Sequence, residues 1–245
     1  LLQSLPSLET KGLNGMSAAQ WVAQKLGNGP LAHLISTLFR LTTYVADQNH
    51  LSAGAALEQL KLSLAGNVWY IDGGWQSIIE GLRHQAEKLG VQIRPRSHIT
   101  TVEQGSDGIT LALSNGAIDR ADSVVMAVGP QAACSLLQLP ADHSLVQWSA
   151  RQQPVRAACL DVALSRLSRP ACRFALGLDQ PHYFSVHSAA ATLAPRGVHV
   201  IHLMKYLPTS AVESAGGVEQ ELEGLLDRVQ PGWRGGRAGR HPRRE

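Results

Sequence analysis

Cysteine is scarce in this chain: three residues, at 134, 159 and 172, with no spacing that suits a disulfide framework or a thiolate metal cluster. The expectation is three buried, reduced thiols, as in a cytoplasmic protein. No apolar run reaches the ~20 residues of a bilayer-spanning helix, and no signal peptide is expected. Contact with a membrane surface stays open, because a lipophilic substrate could be collected there. Charge of one sign is also missing from the body. Of 22 basic and 19 acidic residues, five arginines and one glutamate fall after Pro231, so the tail carries +4 and the 230 residues before it −1. A basic face for phosphate is therefore not expected, which argues against a nucleic-acid partner. Ten histidines are present, but none in an H-E-x-x-H pattern, and no metal site is expected. His199 and His202 fall on opposite faces of one strand. Nowhere does a strand lead into G-x-G-x-x-G.

What is there centres on residues 70–137. Gly73-Gly74 opens a helix over 76–89, with Ile78, Ile79, Leu82, Ala86 and Leu89 at three- and four-residue spacing. Val91 and Ile93 then alternate with polar neighbours at the strand period. Ile109, Leu111 and Leu113 alternate up to Asn115-Gly116, a strong hairpin signal. The run Val124–Val128 predicts a strand buried on both faces. Gly129-Pro130 breaks it and leads to a short helix over 131–137.

These pieces, GGWQSIIEGL, LGVQIRPRSHITTVE and ADSVVMAVGP, with HYFSVHSAA and LAPRGVHVIHLMKYL downstream, resemble the flavin-containing amine oxidase, phytoene desaturase and protoporphyrinogen oxidase superfamily. The resemblance runs in order from Ser17 to Trp233. It implies FAD and oxidation of an organic substrate by hydride removal. It places Val102 where a strand backbone meets the adenine ring, and Ala127, Val128, Gly129 and Pro130 in the loop beside the adenosine portion. Gly73 and Gly74 fall at the diglycine on the flavin side, where absence of a Cβ allows close approach. Trp75 would line the substrate cavity, or serve as an ordinary packed aromatic. No catalytic acid or base is assigned, since the cofactor does the hard step. The implied fold is α/β (α+β mixed), a partial FAD/NAD(P)-binding Rossmann-like domain with a partial mixed-sheet and helical substrate domain. Because the G-x-G-x-x-G segment and the closing FAD motif are absent, and Met does not begin the chain, an internal fragment is expected.

The remaining chain reads in order. Ser17-Ala18-Ala19-Gln20 matches a capping box, while Gly15-Met16-Ser17 lacks the strand and second glycine of a nucleophile elbow. Gly27–Ala32 fits G-x-G-x-x-A but follows a helix, and Pro30 removes an amide; an inter-helix loop with Pro30 at the first helical position is expected. Leu31, Leu34, Ile35, Leu38, Leu41 and Val45 form a helical stripe, and 53–64 a further helix with Leu57, Leu60 and Leu64 inward and Ser52 as cap. A loop is expected over 138–154, strands over 156–164, 183–187 and 198–207, and a helix over 212–229. Lys205 reads as a strand lysine. The domains expected are 1–65 (helical, substrate side), 66–150 (partial FAD-binding), 151–230 (partial substrate domain) and 231–245 (a disordered Gly/Arg tail). That tail reads as an RNA-binding segment or, the favoured reading, as a shifted reading frame. The function expected is FAD-dependent oxidation of a hydrophobic or amine substrate. The alternatives are a protoporphyrinogen oxidase-like enzyme or a non-catalytic scaffold of the same fold.

Overall fold

Ser17 caps the first helix as its sequence predicts. In the computed structural model, which describes residues 7–66, 68–209 and 215–238, Ser17 Oγ accepts the Gln20 amide at 3.1 Å and Gln20 Oε1 accepts the Ser17 amide at 3.0 Å. Helix α1 (Ala18–Leu26) follows, then α2 (Pro30–Thr43) with Pro30 at its start, and α3 (Ala53–Gly66). These three pack around Trp21, Ile35, Phe39, Leu57 and Leu60. The stripe on α2 is only partly spent on that core: Ala32, Ile35 and Phe39 are buried, whereas Leu31 and Leu34 are exposed. A three-helix cluster this small has room for one narrow face of each helix, which leaves Leu31 and Leu34 outside it.

The chain divides into two units, Leu1–Gly81 with Val155–Glu245, and Leu82–Pro154. Helix α4 (Trp75–Lys88) begins in the first and ends in the second. Within the second, β1 (Ile99–Gly105), β2 (Gly108–Leu113) and β3 (Ile118–Ala121) form an antiparallel sheet in sequence order. The Asn115-Gly116 turn closes β2 onto β3: Gly116 has φ +83°, and the Leu113 amide donates to the Ala117 carbonyl at 2.9 Å. Helix α5 (Pro130–Leu136) packs on this sheet around Val102, Leu113 and Ala133. The expected loop over 138–154 contains a helix instead, α6 (Ser144–Arg151), started by His143 Nδ1 accepting the Leu145 amide. A histidine cap carries no signal in the usual Ser/Thr/Asp/Asn pattern.

Two expected strands in this unit do not form. Val91 and Ile93 lie outside any strand, and Val124–Val128 is unpaired, with Val125 95% exposed. A strand exists only when a neighbouring strand takes its amides and carbonyls; the Val91 amide goes to the Ala86 carbonyl at the end of α4, and among the described residues nothing bonds the backbone of Val124–Val128. The apolar stripe on α4 is likewise uncovered: Ile79 and Leu82 are exposed, as is Leu89 just beyond the helix end.

The first unit continues with β4 (Arg156–Leu164), β5 (Phe174–Leu176), β6 (His182–Val186) and β7 (His199–Leu207), an antiparallel sheet in the order β4-β7-β6-β5. Helix α7 (Ala215–Val229) covers one face; residues 212–214, expected to start it, lie outside the described residues. Val162, Leu164, Phe184, Ile201 and Leu203 meet Val218, Leu222 and Leu226 there. Fully burying each such side chain is worth about 1.5–3 kcal/mol. Strand alternation then turns Asp161, Tyr183, Ser185, His202 and Met204 to the opposite face.

The segment expected to be disordered starts ordered. Trp233 is 2% exposed in a short 3-10 helix, Trp233–Gly236, and the Ala238 amide donates to the Ala163 carbonyl at 2.9 Å. The guanidinium groups of Arg234 and Arg237 stand 4.6 and 4.4 Å from the Trp233 ring, and both pair with Glu223. Composition misled here because one tryptophan anchors an otherwise Gly/Arg stretch; residues 239–245 lie outside the described ones. The cysteines differ from expectation as well. All three are free, but Cys159, on the face of the edge strand β4 that α7 does not cover, is exposed, and Cys134 and Cys172 are half-buried.

Candidate functional site

Two concave regions are candidates, one in each unit. In the second unit a groove of about 670 Å³ runs between β1 and the 124–128 segment. Val102, Ala127 and Val128 line it together, with Ile99, Leu111 and Met126 making the walls apolar. Val102 reaches it from β1, paired with Leu111, while the unpaired backbone of Val124–Val128 keeps its amides and carbonyls unspent. Gly129 and Pro130 are not among the lining residues: Gly129 caps α5 and Pro130 is its first residue.

Gly73 and Gly74 lie in the first unit, in the turn that starts α4. Both have positive φ, +77° and +72°. A Cβ on Gly73 would stand 2.3 Å from Ser77 Oγ. The turn is fixed to residue 192 twice over: the Gly73 amide donates to the Thr192 carbonyl at 2.9 Å, and the Thr192 amide donates to Asp72 Oδ1 at 2.6 Å. Glycine at 73 thus has a sufficient steric cause within the chain.

The larger cavity, about 750 Å³, belongs to the first unit. The sheet face opposite α7 forms its floor through Phe174, Tyr183, His202 and Met204, joined by His187 beyond β6. Leu38, Leu41 and Thr42 of α2, Leu60 and Leu64 of α3, and Tyr44 form further wall. Leu60 and Leu38 thus serve both the helical core and the cavity, while Leu41 and Leu64 line the cavity from outside that core. Val68–Ile71, Gly74 and Trp75 complete it. Trp75 is 77% exposed, so it lines the cavity without being packed in a core.

The polar groups of this cavity were not assigned from sequence. Asp161 Oδ1 lies 2.5 Å from His202 Nδ1, the His187 and His202 rings stack at 5.1 Å, and Tyr183 Oη stands 3.4 Å from His187 Nε2. The His202 hydrogen bond holds the Asp161 carboxyl below its ordinary value, against the effect of burial. Burial lowers His187, with His202 adding to that and Asp161 opposing it. Burial pushes the Tyr183 phenol up to about 12, so it remains protonated at neutral pH. The available signal was the alternation H-Y-F-S-V-H over 182–187 together with His199 and His202; which of these histidines faces Asp161 depends on strand register, which alternation alone does not fix.

The strand lysine, Lys205, is on the other face, where Lys205 Nζ and His182 Nε2 meet opposite oxygens of Glu221 at 2.7 and 2.6 Å. Burial raises Glu221, but the bonds from Lys205 and His182 prevail and hold it low. This cluster ties the sheet to α7, on the face away from the aromatic cavity. Among the described residues no group of three or more His, Cys, Asp or Glu is placed to hold a metal ion, and no helix is long and apolar enough to cross a membrane.

Comparisons with known proteins agree on one fold. An oxidoreductase of Methanosarcina mazei superposes with a TM-score of 0.73 at 18% identity, covering 95% of this chain and 56% of its own. A Pyrococcus furiosus protein gives 0.73 at 17% identity, over 92% and 58%. Cyclohexylamine oxidase of Brevibacterium oxydans gives 0.68 at 16%, over 93% and 53%. The chain thus spans little more than half the length of these structures. No curated protein sequence matches it at a significant level. The family model for flavin-containing amine oxidoreductases matches residues 5–158, more than half of the chain. The chain belongs to that family, whose cofactor is FAD.

Proposed function

We propose that the protein takes part in FAD-dependent oxidation of a hydrophobic amine, with the 750 Å³ cavity of the first unit as substrate site and the groove of the second unit as the seat of the cofactor's adenosine portion. The observation that carries the first half is the lining: Tyr44, Trp69, Tyr70, Trp75, Phe174 and Tyr183 surround one space. Ring faces are electron-rich and attract a cation, while their area shelters an apolar substituent. FAD, when bound, would supply a hydride acceptor for a substrate C–H bond, with O2 or another acceptor to take up the electrons. What this chain's residues contribute is placement and exclusion of water. Leu38, Leu41 and Met204 fill the walls with apolar surface, and Trp69 and Trp75 flank the substrate.

The groove suits adenine on its own features. Its walls are apolar, and the backbone of Val124–Val128 has donors and acceptors that no described residue uses. Val102, Ala127 and Val128 would contact the adenosine portion, with Gly129 and Pro130 shaping the turn after it. Gly73 and Gly74 would permit close approach on the flavin side.

The test is a titration of the purified chain with FAD, read by flavin fluorescence, with AMP as competitor. Bound FAD displaced by AMP, and weakened about tenfold or more by Ala127→Arg at the exposed groove wall, supports the assignment. If neither FAD nor AMP binds, this chain does not hold the cofactor and the groove loses its role.

A further inference from the structure

The sheet face under the aromatic cavity carries an ordered set of polar groups that the assignments above leave unused. Asp161 of β4 pairs in register with His202 of β7, which pairs with Ser185 of β6. A carboxylate can only accept, so the 2.5 Å contact puts a hydrogen on His202 Nδ1. The His187 ring stacks on that imidazole at 5.1 Å and 26°, and the Tyr70 ring meets His187 edge-on at 5.4 Å. Two stacked imidazolium rings would repel each other, and only His202 has the carboxylate beside it. His187, lowered by burial and by its neighbour, is the ring left neutral. The cavity wall therefore offers a neutral imidazole nitrogen, whose long 3.4 Å contact with the Tyr183 hydroxyl an incoming amine N–H would displace.

We propose that His187, assisted by Tyr183, anchors the nitrogen of a primary or secondary amine in this cavity. The amine N–H donates to His187 Nε2, a second N–H lies within reach of Tyr183 Oη, and the organic group rests against Trp69, Tyr70 and Trp75. The inference rests on the reading of this cavity as the substrate site. It adds a chemical selection: ligands need at least one N–H, so a quaternary ammonium of similar shape and charge is discriminated against. It also sets a pH limit. Protonated His187 has no lone pair to offer and repels an ammonium group, so binding is present above its folded-state value and fades as pH falls through it. The titratable groups facing it are His202 and Asp161 from the neighbouring strands, Tyr183 from β6 and Tyr70 from the 68–75 segment.

The experiment follows tryptophan fluorescence of the whole chain, since Trp69 and Trp75 line the cavity. Benzylamine, benzyltrimethylammonium and ethylbenzene serve as probes at about pH 8 and about pH 5. Benzylamine is expected to bind about tenfold tighter than either other probe at the higher pH, with the preference shrinking at the lower. His187→Leu should bring benzylamine down to the level of ethylbenzene while leaving ethylbenzene within about twofold. His187→Gln, which keeps an acceptor that does not titrate, should retain part of the preference and lose its pH dependence. If benzylamine shows no preference, or keeps it in His187→Leu while ethylbenzene is unchanged, the anchor is overturned and the cavity reading survives. If no probe binds the unmodified chain, the cavity reading fails and takes the anchor with it.

Discussion

Asp161 and His202 face each other across β4 and β7 at a register position, with the carboxylate oxygen 2.5 Å from the ring nitrogen. Asp161→Asn keeps the shape and removes the charge. Because its side chain is 70% exposed, the loss of stability is expected to be about 1 kcal/mol or less in urea unfolding. The sign with pH is fixed by direction. A carboxyl held below its ordinary value contributes above that ordinary value and stops contributing as pH falls through the depressed one. The variant should therefore lose less stability than the parent on acidification. Asp161 also raises His187, so the His187 ring in the variant should titrate lower still, measured by NMR.

Gly73 and Gly81 make a matched pair for the diglycine turn. Gly73→Ala places a Cβ against Ser77 Oγ at φ +77° and should destabilise by more than about 1 kcal/mol. Gly81→Ala, in open space within α4, should stabilise by about 0.5–1 kcal/mol. Thermal unfolding of both variants checks the pair; a neutral Gly73→Ala would remove the steric explanation.

Glu221 holds Lys205 and His182 from α7. Glu221→Ala leaves the Lys205 ammonium, 12% exposed, without this carboxylate. The expected cost is about 1–2 kcal/mol, below the fully buried case because Glu221 itself is 34% exposed. Since Glu221 is held low, its contribution is present above the ordinary carboxylate value and disappears in acid as pH falls through its folded-state value. Unfolding by urea across that range, parent against variant, should show curves that converge at low pH.

Trp233 decides whether the arginine-rich stretch is part of the fold. Trp233→Ala removes a ring buried against the sheet–helix core and should cost about 3–5 kcal/mol. Amide exchange at Ala238 should accelerate with it, since that amide is bonded to the β4 end. Unchanged stability would restore the view of this stretch as a loose appendage.

Features that depend on neighbours along the chain could be read from the amino-acid order. The capping box at Ser17, Pro30 at the head of α2, the Asn115-Gly116 turn and the bounds of β4 are local matters, governed by a few residues' own donors, acceptors and dihedrals. The family resemblance was legible for the same reason, as an ordered series of local patterns. Features whose partners come from distant parts of the chain could be read only from the fold. Val124–Val128 has every local property of a strand, yet without a neighbouring backbone it stays unpaired. The apolar residues of α2 look uniform in sequence, but Ile35 and Phe39 enter the helical core while Leu41 lines a cavity. Asp161, His187 and His202 are separated by as many as 41 positions and meet through strand register and a turn. A side chain's period tells which face it takes, but the energy of burying, pairing or discharging it depends on what stands opposite.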